Sequence, residues 1–256
     1  MMTTTTPSNV FHIDPDTRSC KECRIRQLCL TAELNPTELA QLDCLARQRR
    51  PLTRGAHLFH IGDPLEAVYA IRSGSVKTYT LTPDGREQVT GLRLPGDLVG
   101  LDAIGRGIHP SAAEALETTS ICALPLNRLE GLKGSAPKIQ QRLMQVMSEE
   151  IQDNEEHITL LGKQSAEQRI ANLLLNLAKR YQLRGYSVHE FNLSMSRTDI
   201  GNYLGLAIET VSRLFTRLQE LGLISVERKH VRINDLEKLR SFASPVDAPA
   251  TARAHA

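Results

Sequence analysis

No stretch of this chain approaches the roughly 18 uninterrupted apolar residues that a membrane span requires. The opening Met1-Met2-Thr3-Thr4-Thr5-Thr6-Pro7 has no apolar segment that could act as a secretion signal. The expected location is the cytoplasm, with no membrane partner. Charge of one sign is not in excess either: 31 Lys and Arg against 29 Asp and Glu leave a net +2, which excludes a polybasic or an acidic chain. Cysteine is scarce and odd in number, five in 256 residues, and in a reducing compartment that count argues against a disulfide framework. Three of the five, Cys20, Cys23 and Cys29, fall within ten residues, which points to metal or redox chemistry. What is present is ordinary: 41% hydrophobic and 23% charged residues, the balance of a folded globular protein, in a length that accommodates two domains.

The near-neutral total conceals a division. Residues 164–240 hold 12 basic and 8 acidic side chains (+4), residues 1–163 hold 18 and 20 (−2), and Arg253 and Asp247 cancel in the tail. A basic C-terminal third fits a nucleic-acid partner. Residues 1–17, with Thr, Pro and Asp, are expected to be a mobile N-terminus, and residues 18–136 a domain made of an arm and a β-barrel. That domain opens with the cysteine arm and a short helix from Asn35-Pro36 that carries Leu39, Leu42 and Leu45 on one side. From Pro51 to Leu126, turn signals such as Ser73-Gly74, Pro83-Asp84-Gly85 and Pro95-Gly96-Asp97 separate strand-like runs at Ala67–Arg72, Ser75–Thr82, Gln88–Leu94 and Ser120–Leu126. Short strands with regular turns predict a β-barrel or jelly roll.

Residues 137–163 read as one long helix in which Met144, Met147, Ile151, Asn154, Ile158 and Leu161 are spaced 3, 4, 3, 4, 3. That is an a/d seam, and it predicts a two-stranded homodimer rather than a helix packed only on its own barrel. Glu149, Glu150, Asp153, Glu155 and Glu156 lie along it with no basic residue among them, so like charges in the dimer repel. Asn154 within the seam adds a further cost, and the dimer is expected to be marginal. Residues 164–240 form the last folded domain; residues 241–256 lack apolar periodicity and are expected to be a disordered tail. The fold class is α+β.

Within 164–240, Ser196 caps a short helix at Arg197–Leu204, Gly205 supplies a turn, and Ile208–Leu221 continues as a second helix. Ile200, Leu204, Val211, Leu214 and Leu218 can share a core, which leaves Glu209, Ser212, Arg213 and Arg217 outside it. This is the plan of a helix-turn-helix whose second helix enters the major groove of double-stranded DNA. A strand pair around Glu227-Arg228-Lys229-His230 follows like the wing of a winged helix. Arg213 can donate twice to a guanine edge, Glu209 can accept from cytosine, and Ser212 can reach a base or phosphate. Arg197, Arg217, Arg228 and Lys229 are candidate phosphate contacts, which position without specifying. Ala207 stands where a side-chain cap of the second helix belongs and cannot provide one, at about 1 kcal/mol.

Cys20-x2-Cys23-x5-Cys29 places three thiols on one loop, one short of the four thiolates usual for a cubane cluster. Cys122, in the strand-like Ser120–Leu126, is the natural fourth. Four thiolates also make a structural zinc set, and ligand type alone does not separate the two. A paired-thiol redox switch is a third option. Arg18, Lys21, Arg24 and Arg26 surround the loop and would offset its negative charge. Cys44 lies in the apolar Leu39–Leu45 stretch and is expected to be a small buried hydrophobe without a role.

Ile200-Gly201-Asn202-Tyr203-Leu204-Gly205-Leu206 followed by Glu209-Thr210-Val211-Ser212-Arg213 resembles the DNA-reading motif of the CRP/FNR family, most of all its FNR/ANR branch of oxygen-responsive transcription regulators. The resemblance runs from Cys20 to about Ile233. It implies that Cys20, Cys23, Cys29 and Cys122 bind one oxygen-labile 4Fe–4S cluster per subunit. It implies a homodimer that binds DNA while the cluster is intact, reads an inverted repeat of TTGAT-type halves through Glu209, Ser212 and Arg213, and activates or represses genes of anaerobic metabolism. RNA polymerase is an implied partner, with Thr82-Pro83-Asp84-Gly85-Arg86 a candidate contact. The wider family's cyclic-nucleotide site has an Arg before its phosphate-binding Ser or Thr. Here Gly100-Leu101-Asp102 and His109-Pro110-Ser111 stand in its place with Arg106 displaced, so no cyclic nucleotide is expected. An enzyme would require convergent acid/base residues in a cleft or a second cluster motif; neither is present in the sequence, and none is expected.

Overall fold

A computed structural model of the chain describes residues 19–48, 50–131 and 137–244. The expected mobile N-terminus and all of the tail beyond Ser244 lie outside the described residues. The chain divides into two compact units between Asp153 and Asn154.

In the first unit a 3-10 turn at Cys20–Glu22 leads through successive turns into helix α1 (Pro36–Leu45). α1 starts where it does because Asn35 and Glu38 form a reciprocal capping box and Pro36 occupies the first turn, where its missing N–H costs nothing. Eight strands follow: β1 (Arg47–Gln48), β2 (His57–Phe59), β3 (Ala67–Ser73), β4 (Val76–Leu81), β5 (Glu87–Arg93), β6 (Leu98–Val99), β7 (Ala112–Ala115) and β8 (Ser120–Pro125). They pair into two four-stranded sheets, β1-β8-β3-β6 and β2-β7-β4-β5, the jelly-roll arrangement the turn spacing predicts. Strand alternation then sorts the side chains. Ala67, Tyr69 and Ile71 of β3 and Ile121 and Ala123 of β8 pack with Phe59 and Val76 between the sheets. Val68, Ala70 and Leu124 face the other way, into a second core with Leu30 of the arm, Leu42 of α1 and Ile139. The β1-β8-β3-β6 sheet is thus covered on both faces, and its outer face is where the arm lies.

Helix α2 (Leu126–Gly131) precedes α3 (Pro137–Lys163), a single helix of 27 residues that begins in the first unit and ends in the second. The second unit contains α4 (Ala166–Leu183), β9 (Glu190–Asn192), α5 (Arg197–Leu204), α6 (Ile208–Glu220), β10 (Ile224–Glu227), β11 (His230–Ile233) and α7 (Leu236–Ala243). α7 carries regular structure three residues past the expected domain end at 240. Capping boxes at Ser165 with Gln168 and Ser196 with Asp199 start α4 and α5. Leu173, Leu174, Leu177, Ile200, Leu204, Val211 and Leu218 are buried as the periodicity predicts. Leu214 is not among them: it is half-buried, and Phe215, one position on, fills the core instead. Gly205 ends α5 at φ 64°, ψ 41°, a left-handed conformation that a β-carbon disfavours. β10, β11 and β9 make a three-stranded antiparallel sheet whose β10–β11 hairpin is the expected wing.

Candidate cysteine pocket and nucleic-acid interface

Strand alternation puts Cys122 on the outer face of β8, opposite Ala70 of β3 and beside Leu124. Cys20, Cys23 and Cys29 come to the same place from the arm, and the four thiols line one pocket with Ile25, Leu30, Leu42, Ala46, Ala70 and Leu124. The arm reaches this sheet by close approach: a β-carbon on Gly96 (φ +98°) would lie 2.8 Å from Cβ of Leu28. α1 holds the near end, since Asp43 accepts from the Cys20 amide at 2.6 Å and from Ser19 Oγ at 2.9 Å. Cys44 departs from expectation: it is exposed, because two helical positions turn it about 200° away from the buried Leu42.

The walls of the pocket are apolar, and the thiols respond. Burial, then the hydrogen bond and charge of Asp43, hold the Cys20 thiol far above the ordinary range. Burial pushes Cys29 up to about 11 against two backbone hydrogen bonds, and burial likewise raises Cys122. The charges also act on one another, Cys122 and Cys29 on Cys20, Cys122 and Cys23 on Cys29, and Cys23 on Cys122. A cationic centre bound by all four sulfurs removes both penalties at once, so the donor set fits a thiolate-bound metal group. Among the described residues no three His, Cys, Asp or Glu are gathered as a ready single-ion site.

Among the described residues, the cation at the pocket is not Lys21, Arg24 or Arg26. Lys21, Arg24 and Arg26 are exposed, Arg26 donates to the Lys21 carbonyl, and Arg18 is outside the described residues. Arg72 lines the pocket instead, and its charge favours the Cys122 thiolate. A signal existed: Arg72 is the one charge at the end of the apolar run Ala67–Ile71. Asp43 had no such signal, because its role depends on where the arm folds back.

Along α3 the seam residues separate by neighbourhood. Met144, Ile151 and Ile158, seven apart, are 72%, 59% and 68% exposed, and Asn154 is exposed with them. Met147 packs on the first unit's own core, and Leu161 is half-buried. The acids are less unbalanced than their sequence suggests. Glu150 pairs with Arg93 of β5, and Glu149 with Arg142 at 3.1 Å. These partners lie outside the 149–156 segment, on another strand and two turns earlier on the helix.

In the second unit α6 presents Glu209, Ser212 and Arg213 to solvent, as predicted. Ser212 Oγ donates to the Ile208 carbonyl at 2.9 Å. Ala207 makes no cap, so the first-turn N–H groups of α6 have no side-chain acceptor. Two arginines differ from the solvent-directed picture. The Arg197 guanidinium lies 3.3 Å above the Phe215 ring, half-buried, and its desolvation lowers its pKa. Arg217 is exposed but paired with Glu167 of α4 at 2.8 Å. At the wing tip Arg228 and Lys229 are both exposed, and Arg228 stands at φ 56°, a left-handed conformation for a residue with a side chain.

In the jelly roll, the residues that stand in place of a cyclic-nucleotide site engage groups of the chain itself. Ser111 Oγ donates to Asp102 Oδ2 at 2.6 Å. His109 is buried and stacked 3.6 Å from Phe59, while Arg106 is exposed.

Comparison with known proteins agrees with both halves. Residues 168–242 match the Crp-like helix-turn-helix domain and residues 49–134 the cyclic nucleotide-binding domain. The chain is 50% identical over 220 residues to the anaerobic regulatory protein of Pasteurella multocida, covering 86% of this chain and 81% of that one. It is 47% identical over 224 residues to the fumarate and nitrate reduction regulatory protein of Escherichia coli K12, covering 88% and 90%. Among solved structures it resembles FixK2 from Bradyrhizobium japonicum with a TM-score of 0.71 and 30% identity, covering 79% of this chain and 99% of that one. With identity of this extent over 86–88% of the chain, and family matches in both the jelly roll and the helix-turn-helix, the chain belongs to the CRP/FNR family as an FNR-type transcription regulator, not an enzyme.

Proposed function

We propose that this regulator senses oxygen in the cytoplasm through a 4Fe–4S cluster, one per subunit, held by Cys20, Cys23, Cys29 and Cys122. As a homodimer it then binds an inverted repeat of TTGAT-type halves and controls genes of anaerobic metabolism. The observation that carries the reading is the meeting of three arm thiols with Cys122, about a hundred residues away, in one apolar pocket. When bound, such a group supplies oxygen-labile redox chemistry with a net charge of about −2.

The chain's own residues do the rest. Asp43 fixes the arm beside Cys20, Arg72 offsets negative charge at Cys122, and the apolar walls exclude water. α1 carries the pocket's state towards the dimer helix, because the buried Glu38 that caps α1 also accepts from the Lys138 amide at the start of α3, at 3.3 Å. Met144, Ile151 and Ile158 offer an exposed apolar row to the partner's α3, with Asn154 and Leu161 beside it and Met147 bracing the helix from behind. Arg213 and Glu209 read the guanine and cytosine edges, and Ser212 exchanges its helix bond for a base or phosphate. The uncapped turn of α6, Arg228 and Lys229 hold phosphates, joined by Arg217 once it leaves Glu167 and by Arg197 at the start of α5. The Thr82–Arg86 loop, stiffened by Asp84 bonded to Thr82 and Arg86, faces RNA polymerase. Asp102 engages the Ser111 hydroxyl and sets a carboxylate beside it, which disfavours a phosphate anion there and supports the reading that the protein takes no cyclic nucleotide.

The test is protein purified without air. It should contain about four iron and four acid-labile sulfide per chain, and Cys23→Ser or Cys122→Ser should lose them while Cys44→Ser keeps them. A colourless chain carrying one zinc overturns the reading.

A further inference from the structure

Arg169, in the first turn of α4, lies at the ends of two other helices. Its Nη2 donates to the Leu161 carbonyl at 2.6 Å and its Nε to the Gln164 carbonyl at 3.1 Å, both at the C-terminus of α3. Its Nη1 donates to the Leu204 carbonyl at 3.0 Å, at the C-terminus of α5. These carbonyls belong to the last turns, where no helical N–H is available to them, and where the helix dipole favours a cation. One planar guanidinium therefore satisfies the negative ends of two helices, which a single ammonium could not do in the same geometry. A second tie lies a turn and more before it on α3. His157 Nε2 donates to the Tyr203 carbonyl at 3.0 Å, and its ring stacks on that of Tyr203 at 4.1 Å. All of these residues lie in one compact unit.

We infer that Arg169, supported by His157, is a positioning residue for DNA reading: it locks α5, and with it the recognition helix α6, to the end of the dimer helix. α6 follows because Ile200 and Leu204 of α5 and Val211 and Phe215 of α6 share the unit's core. In a dimer joined through α3, that lock fixes the distance and rotation between the two recognition helices. The protein thereby selects the spacer between half-sites. One added base pair rotates a half-site by roughly 35°, which a rigid pair of readers cannot follow and a loosened pair can. The inference rests on dimerisation through α3.

The experiment uses the full chain prepared without air and three inverted-repeat duplexes, with the preferred spacer, one base pair fewer and one more. Anisotropy titrations give the affinity for each, and sedimentation the oligomeric state. Arg169→Ala should remain dimeric, and its preference for the correct spacer over the other two should fall by about tenfold or more, mostly through weaker binding to the correct one. Arg169→Lys should resemble it. His157→Ala should shift the same ratio by a smaller factor and decides the matter if Arg169→Ala does not fold. A folded, dimeric Arg169→Ala with the wild-type spacer preference overturns the proposal, even if its melting temperature is lower. A wild-type dimer indifferent to spacer length also overturns the lock, whereas a wild-type chain that sediments as a monomer on its operator overturns the dimeric reading on which the lock rests.

Discussion

In the second unit three of the four helices that lie wholly within it begin at a side chain that caps them, Ser165 for α4, Ser196 for α5 and Asp235 for α7, and the unit closes on a core of its own in which Leu174, Phe191, Ile200 and Leu204 are fully buried. The cysteine arm at residues 19–34 is made differently. Its backbone bonds are i to i+3 turns, several of them 3.3 Å or longer, and its anchors belong to other elements, Asp43 of α1 and the bare Gly96 under Leu28. Its buried surface includes the Cys20 and Cys29 thiols, whose ionisation burial disfavours. The DNA-reading unit carries its stability within itself, whereas the arm borrows its own from the sheet beneath it and from whatever its sulfurs bind. A sensor benefits from that difference. Low local stability lets a change at the pocket alter the arm without unfolding the reader.

The comparison breaks most sharply at α3, the one element both units share. Ile151→Glu replaces an exposed apolar side chain in the proposed dimer row, so both units should stay folded while dimerisation weakens by roughly 4 kcal/mol, about a thousandfold. Sedimentation velocity reads the weakened dimerisation, and far-UV circular dichroism the retained fold. A dimer of unchanged affinity would remove Ile151 from the interface.

Gly96→Ala sharpens the contrast between arm and reader. The new methyl meets Leu28 in a backbone conformation that L-residues avoid, at about 1–3 kcal/mol. Trypsin should then cut faster at the exposed Lys21, Arg24 and Arg26, with the second unit's thermal transition unmoved. Equal loosening of both units would show that the arm is not a separable element.

The smallest effect belongs to the wing. Arg228→Gly relieves a left-handed residue and should change hairpin stability by no more than about 1 kcal/mol. It should also lower the salt dependence of DNA binding by about one unit of slope, equally on cognate and altered sites. A base-specific loss would make Arg228 a reader rather than a phosphate contact.

Much of this was legible in the chain. Turn residues between short apolar runs announced the jelly roll, and Ser196, Gly205 and the spacing of Ile200, Leu204, Val211 and Leu218 announced the helix-turn-helix. These are local signals, set by residues within a few positions of each other. Errors arose where a neighbour came from far away. Leu214 and Phe215 differ by one helical position, and only the packed core decides which of them enters it. Arg217 looked free because Glu167 is fifty residues off, and Glu149 to Glu156 looked uncompensated because Arg93 and Arg142 lie outside that run.

By itself, then, the sequence determined the elements, their order, the caps, the faces of α6 and the grouping of Cys20, Cys23 and Cys29 on one arm, because propensity, periodicity and spacing act over short range. Tertiary structure alone decided that Arg72 rather than Lys21, Arg24 or Arg26 meets the thiols and that Asp43 grips Cys20. It alone gave Arg169 the ends of two helices. Each of those depends on a charge or a hydrogen bond between segments distant in the chain, and such partners exist only once the sheets and helices have closed on one another.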